Sequence, residues 1–325
     1  MRTRLSFVLA LGFALAACSA SSTDPSAAPA PTTETPPETT PPPEAMPDLD
    51  PDAKPLVGRP YSVRTPKGYD KSKPAALVLA FHGYGGGESG PKLEKYLRFG
   101  AVADTPEAQF LYVTPEGTKD GADERFWNGT DVCCDFDGLK PDDVAYVRAL
   151  VKDASKKHLV DPKRVYAFGL SGGGYFVHRL ACEAPDVFAA IVSMSGATYK
   201  DASKCTPDPK HPIAIAELHG DADKTVKYGG GHESWGKLEG DYPSAKETVG
   251  HWATYNGCSS TLAPTSTAYD IVSDLEGSET IVERHDGCAR GAVELWTMKG
   301  GIHAPRLGPG LATSVWGFFA AHPKP

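Results

Sequence analysis

The chain has 325 residues, and 33 Lys+Arg against 41 Asp+Glu give it a formal charge of −8. That balance speaks against nucleic acid or anionic membrane surfaces as partners. With a Pro/Thr-rich N-terminal stretch set aside, about 270 residues are left, enough for one large α/β domain with a substantial core.

Arg2 and Arg4 open the chain, and Leu5 to Ala17 is an apolar run too short to span a bilayer comfortably. It ends in Leu15-Ala16-Ala17-Cys18. Small residues before a cysteine resemble the bacterial lipobox. This implies a signal peptide over 1–17, cleavage before Cys18 and lipidation of Cys18. Residues 18–54 are Pro, Thr, Ser, Ala and Glu with almost no bulky apolar side chain. Such a stretch cannot bury enough surface to offset its ordering entropy, so it reads as a disordered tether. Its prolines favour an extended chain of about 3.1 Å per residue. The folded domain is expected at 55–325, as an exported monomer that touches the cell envelope only through its lipid. Without Cys18 six cysteines are left: Cys133, Cys134, Cys182, Cys205, Cys258 and Cys288. An even number in an exported chain predicts disulfides. No CxxC occurs and the histidine spacing does not suit zinc, so no metal is expected.

Ala76 to Phe81 is a short continuous apolar run, the pattern of a strand buried on both faces. It leads into the glycine-rich turn His82-Gly83-Tyr84-Gly85-Gly86-Gly87. A helix is predicted over Leu93–Ala103 and a strand over Phe110–Val113. Pro141 to His158 is the clearest helix. Val144, Val147, Val151 and Ala154 share one face with Leu150 beside them, and Asp142 and Asp143 fall in the first turn, where the dipole favours acids. Asp161-Pro162 reads as a break before a strand over Arg164–Phe168. Further strands are predicted at Ala189–Ser193, Ile213–Leu218 and Val293–Thr297, and helices at Ala245–Tyr255 and Leu311–Ala321. This alternation predicts an α/β fold with a mostly parallel sheet, helices on both faces, and ligands bound beyond the carboxyl ends of the strands.

Gly169-Leu170-Ser171-Gly172-Gly173 matches G-x-S-x-G between a strand and an amphipathic helix. A serine on that tight turn is lifted clear of the sheet, and the flanking glycines allow close backbone approach. Its hydroxyl needs a base within hydrogen-bond reach. His303, in Gly300-Gly301-Ile302-His303, follows the last predicted strand at the same sheet edge and is the candidate. His82 is expected to shape the glycine-rich loop, and His219 precedes an acidic turn. The other histidines read as solvated surface groups. Asp221 and Asp223, in His219-Gly220-Asp221-Ala222-Asp223, both qualify as the carboxylate that orients the base. The chain order Ser, Asp, His is that of the α/β-hydrolases. The oxyanion donors expected by position are the amides of Gly172 and Tyr84.

These segments, with Trp127-Asn128-Gly129, Cys133-Cys134, Arg179-Leu180-Ala181-Cys182-Glu183, Tyr242-Pro243-Ser244-Ala245 and Asn256-Gly257-Cys258, resemble the polyhydroxybutyrate-depolymerase-like esterases. That group includes the feruloyl and acetylxylan esterases of carbohydrate esterase family 1. The resemblance implies an α/β-hydrolase acting through an acyl-enzyme without a cofactor, with Ser171, Asp223 and His303 as the triad. It also implies a Cys258–Cys288 bridge and pairing of Cys133 and Cys134 with Cys182 and Cys205. Adjacent cysteines rarely pair with each other. Where that group often carries a Trp-Pro pair after the histidine, this chain has Ala304-Pro305-Arg306, a change expected at the pocket wall. The expected substrate is a feruloyl or acetyl ester of plant-wall polysaccharide. Phe126, Trp127, Tyr228 and Trp235 are the candidate aromatic wall residues. The rival functions are polyester depolymerisation and a non-catalytic, polysaccharide-binding surface lipoprotein.

Overall fold

The computed structural model describes Arg59, residues 61–86 and residues 89–325. The expected signal peptide, the expected lipid site Cys18 and the expected tether lie outside the described residues. In chain order the strands are β1 (Tyr61–Arg64), β2 (Ala75–Phe81), β3 (Leu111–Pro115), β4 (Thr118–Lys119), β5 (Arg125–Phe126), β6 (Val160–Leu170), β7 (Ala190–Met194), β8 (Ala214–Gly220), β9 (Gly231–Trp235), β10 (Leu238–Tyr242), β11 (Leu262–Tyr269), β12 (Thr280–His285) and β13 (Val293–Met298). The helices are α1 (Ser89–Leu97), α2 (Phe99–Ala103), α3 (Asp143–Lys157), α4 (Gly172–Glu183), α5 (Ala245–Asn256) and α6 (Gly310–Ala321).

The main sheet has the order β1-β3-β2-β6-β7-β8-β13-β12-β11. From β3 to β13 neighbouring strands are parallel, and β1, β12 and β11 join antiparallel at the two edges. Both faces are covered, which is why β2 is a continuous apolar run. Leu77, Leu79 and Phe81 pack with α3, α4 and α5, whereas Ala76, Val78 and Ala80 pack with α1, α2 and α6. The predicted face of α3 is buried throughout, and the Asp142 carboxylate caps the helix by accepting the Ala145 N–H at 2.9 Å. The predicted fold class is therefore the observed one.

Two predicted elements differ. The helix expected over Leu93–Ala103 is broken at Arg98, which adopts a left-handed conformation with φ 59°. The strand expected from Arg164 begins at Val160 and carries Asp161-Pro162 within it. Ala75 pairs with Val160 but Leu77 pairs with Val165, so the chain bulges between them and the proline needs no partner for its missing N–H.

The cysteines pair differently from the expectation. Cys182 bonds to Cys205 and Cys133 bonds to its neighbour Cys134, while Cys258–Cys288 is as expected. The reason is distance along α4. A Cβ on Gly172, at the start of the helix, would lie 2.9 Å from Cys134 Sγ. Cys182 is ten residues further on, about 15 Å at the helical rise, so no bond from Cys134 can reach it. Cys182 instead lies next to Cys205, with Cα atoms 5.3 Å apart.

The Cys182–Cys205 bridge closes a loop with a sequence separation of 23. Replacing both cysteines by alanine is expected to lower the unfolding free energy by about 3 kcal/mol. Urea denaturation under oxidising conditions measures this, and a change below about 0.5 kcal/mol would contradict it.

Candidate active site

Five neighbouring strands, β2, β6, β7, β8 and β13, deliver their carboxyl ends to one sheet edge. Ser171 stands between β6 and α4 with φ 53° and ψ −115°, a sparsely populated conformation for a residue with a side chain. Its hydroxyl makes no helix-capping hydrogen bond, so it is not there to cap α4. The backbone is held on both sides: Ser171 N–H donates to Met194 O at 2.8 Å, and Ser171 O accepts from Tyr175 N–H at 3.0 Å. The pattern glycines have steric reasons. A Cβ on Gly169 would lie 2.0 Å from Gly173 O, and one on Gly172 would lie 3.2 Å from Tyr84 N.

His303 Nε2 lies 2.9 Å from Ser171 Oγ, and His303 Nδ1 lies 2.8 Å from Asp223 Oδ2. The other Asp223 oxygen accepts the N–H groups of Thr225 and Val226 at 2.8 and 3.0 Å. Burial works against a charge on Asp223. Hydrogen bonds from His219, His303 and Thr225, with the attraction of His303, outweigh it and hold the carboxyl well below the usual carboxylate range. Asp221 has other partners. It accepts Gly300 N–H at 2.6 Å and pairs with Lys299 at 2.7 Å, so it fastens the loop that carries His303. Ser195 Oγ donates to His303 O at 3.2 Å from the end of β7. The structure thus joins Asp223, and not Asp221, to His303 and Ser171.

His82 shapes the glycine-rich loop. Its Nδ1–H donates to Gly83 O at 2.7 Å, and its Nε2 accepts Gly117 N–H at 3.0 Å. Burial lowers its pKa and keeps the ring neutral. The loop lays Tyr84 N against Gly172, so the two expected oxyanion amides are neighbours beside Ser171. The Tyr84 phenol donates to Asp120 Oδ2 at 2.5 Å, and that bond with partial burial pushes its pKa up to about 12.

Ser171 and His303 face a cavity of about 600 Å³ whose walls include Tyr84, Val132, Phe136, Tyr175, Trp235 and the Cys133–Cys134 disulfide. Of the four candidate wall residues only Trp235 is there, 58% exposed on the β9–β10 hairpin. Phe126 and Trp127 are fully buried. Trp127 stacks on Phe176 with ring centroids 5.0 Å apart, so it supports α4 from below. Tyr228 packs behind the Asp223 turn, edge-on to His219, with its hydroxyl 2.8 Å from Thr297 Oγ1. The segment after His303 also misses the wall. Pro305 is buried, and its carbonyl accepts the Tyr96 hydroxyl at 2.8 Å.

A buried chain of polar groups behind Asp223 escaped the sequence reading. Trp252, His178, Glu217 and His219 are hydrogen-bonded in series and almost completely inaccessible, so His178 is not a surface histidine. The available signal was Glu217, a charge inside the apolar run Ile213–Leu218, because a buried charge requires a partner.

A protein-family model described as esterase PHB depolymerase matches residues 61–207. The chain is 30% identical to feruloyl esterase B of Piromyces equi, over 74% of this chain and 42% of that protein. It is 27% identical to feruloyl esterase C of Emericella nidulans, over 85% of this chain and 88% of that protein. The chain thus spans under half the length of the Piromyces relative. Among solved structures, acetyl xylan esterase from Aspergillus awamori superposes with a TM-score of 0.54 at 15% identity, covering 82% of this chain and 95% of that one. By sheet order, strand-to-helix turn and this shared architecture the domain has the α/β-hydrolase fold. Within that fold its sequence is similar to the esterase PHB depolymerase family over residues 61–207 and to the feruloyl esterases of Piromyces and Emericella.

The two fixed hydrogen bonds at His82 carry an expectation. In an NMR titration its ring should protonate below the ordinary histidine midpoint of about 6.5. A midpoint at or above that value would contradict the neutral loop-shaping role.

Proposed function

We propose that this domain hydrolyses carboxylic esters through a covalent acyl-serine. The observation that carries this is the hydrogen-bonded series Ser171 Oγ, His303 Nε2, His303 Nδ1 and Asp223 Oδ2, at 2.9 and 2.8 Å, facing the cavity beside two neighbouring amides. His303 accepts the Ser171 proton as Oγ bonds to the acyl carbon. The carbonyl oxygen becomes an oxyanion held by the amides of Tyr84 and Gly172, each donor worth about 2.7–4 kcal/mol in the transition state. His303 returns the proton to the departing alcohol, which leaves the acyl group on Ser171. Water then loses a proton to His303 and attacks the acyl carbon, releasing the acid and restoring the serine.

The proposed substrate is a feruloyl or acetyl ester on plant-wall polysaccharide. Likeness to the Piromyces and Emericella feruloyl esterases supports this, as does the aromatic wall of Tyr84, Phe136 and Trp235. Polyester hydrolysis is the second reading, favoured by the description of the matching family model. The disulfides suit an oxidising compartment. With Cys18 as a lipid site they support an exported, envelope-anchored protein.

Against a panel of feruloyl, acetyl and short aryl esters with polyhydroxybutyrate film, turnover is expected on the soluble esters. Ser171→Ala should lose at least about 10³-fold in kcat/KM. Activity in that variant equal to wild type would overturn the proposal, and release of hydroxybutyrate without ferulate would select the second reading. Asp223→Asn should lose about 10⁴-fold in kcat, because it favours the wrong imidazole tautomer. Asp221→Asn keeps an acceptor for Gly300 and loses one partly exposed ion pair, so its loss should stay below about tenfold. Equal losses in the two variants would contradict the assignment of Asp223.

A further inference from the structure

His219 lies within strand β8 and is 1% exposed, too deep to touch a substrate. Its two nitrogens both face oxygen. Nδ1 is 3.0 Å from Glu217 Oε1, Nε2 is 2.8 Å from Val226 O, and Asp223 Oδ2 is 3.5 Å from Nε2. A carbonyl oxygen can only accept, so Nε2 carries a proton.

The protons on the rest of the series follow from Trp252. Its indole N–H only donates, and it lies 3.0 Å from His178 Nδ1. His178 is therefore the neutral tautomer with Nε2–H, which donates to Glu217 Oε2 at 3.0 Å. Glu217 Oε1 then shares one further proton with His219 Nδ1. Imidazole is the stronger base, and the Asp223 carboxylate on the far side favours a cation, so this proton belongs to His219.

We propose that His219 is a buried imidazolium and a positioning residue for the ester hydrolysis argued above: paired with Glu217 on one side, it steadies the charge and the turn of Asp223 on the other. Two contacts tie it to that turn, and a third closes the turn on itself. Nε2–H holds Val226 O, the Val226 N–H donates to Asp223 Oδ1, and the cation lies beside Asp223 Oδ2. Removal of the Nδ1 proton would leave a lone pair facing the Glu217 carboxylate and strip Asp223 of its neighbouring cation. His303 would then lose its fixed orientation toward Ser171.

Among the described residues, the groups that face the His219 ring beyond Glu217 and Asp223 are neutral. On β8 the charged neighbour is Glu217, and from α4 come neutral His178 and Tyr175. Tyr228 faces the ring from the turn, Tyr242 faces Asp223 from β10, and Thr297 is opposite on β13. The phenols of Tyr175, Tyr228 and Tyr242 are raised by burial and stay neutral. Burial works against the charge on His219, but hydrogen bonds to Asp223 and Glu217 and the attraction of Glu217 carry its pKa up to about 9.

Glu217→Gln isolates the charge. The carbonyl of the substituted side chain can accept from His178 Nε2–H and its amide can donate to His219 Nδ1, so every hydrogen bond of the series survives with a neutral ring. In wild type, kcat should fall along an alkaline limb near pH 9 with KM little changed. In Glu217→Gln that limb should move below about pH 7, which lowers kcat at pH 8 about tenfold or more. His219→Gln should lack the limb. Imidazole ¹⁵N NMR of wild type should show His219 doubly protonated at pH 7.5. An unmoved limb in Glu217→Gln, or a singly protonated His219 at pH 7.5, would overturn the proposal. The NMR reading needs neither the variant to fold nor the enzyme to turn over. A chain no more active than Ser171→Ala would therefore count against the esterase reading alone.

Discussion

The chain passes from the last position of β6 to the first turn of α4 in one residue, and Ser171 makes that passage at φ 53°, ψ −115°. Such a conformation costs of order 1–3 kcal/mol and persists only where its surroundings over-determine it. Here β6 lies inside the parallel sheet, α4 packs directly on it, and Gly169 and Gly173 let the helix start close above the strand. The serine oxygen therefore stands above the sheet edge. His303 must come to it from β13, three strand spacings or about 14 Å away. A loop spanning that distance needs fastening, and Asp221 holds it at Gly300 while Ser195 holds it at the His303 carbonyl.

The same edge manages its charges in depth. Asp223 is buried at 6% exposure and would be costly there alone. It is supplied with two backbone N–H groups, His303 and the cation-bearing side of His219. Behind them Glu217 accepts from two histidines, and the series ends on the Trp252 indole in α5, where water cannot reach. One helix on the covered face of the sheet is thereby coupled to the carboxylate that orients the base.

Much of this was legible because strongly periodic or buried segments admit few readings. The β2 run, the α3 face and the strand-turn-helix at Ser171 all follow from apolar spacing and glycine placement. The two carboxylates of the acidic turn are two residues apart, and only the path of the loop from β13 separates them: Asp221 meets Gly300 on it, and Asp223 meets His303. Trp127 looked like a wall residue because aromatic rings near a site serve packing and recognition alike, and only its contact with Phe176 decides between them. The edge strands β11 and β12 and the β9–β10 hairpin carry half-exposed polar patterns that merge with loop composition. Cys133 and Cys134 were expected to pair with Cys182 and Cys205, but Cys134 lies at the start of α4 and Cys182 near its end. Pro162 was read as a stop, yet a bulge against β2 accommodates it.

The cavity wall now rests on Tyr84, Phe136 and Trp235, which form a continuous aromatic contact with centroids 4.9 and 5.9 Å apart. Its chemistry depends on one claim, that Ser171 alone among the serines is an activated nucleophile. Fluorophosphonate labelling followed by peptide mass spectrometry tests that claim most directly. A single adduct on Ser171, lost when His303 is replaced by alanine, is the predicted result. No adduct on the folded protein, or an adduct on another residue, would contradict it.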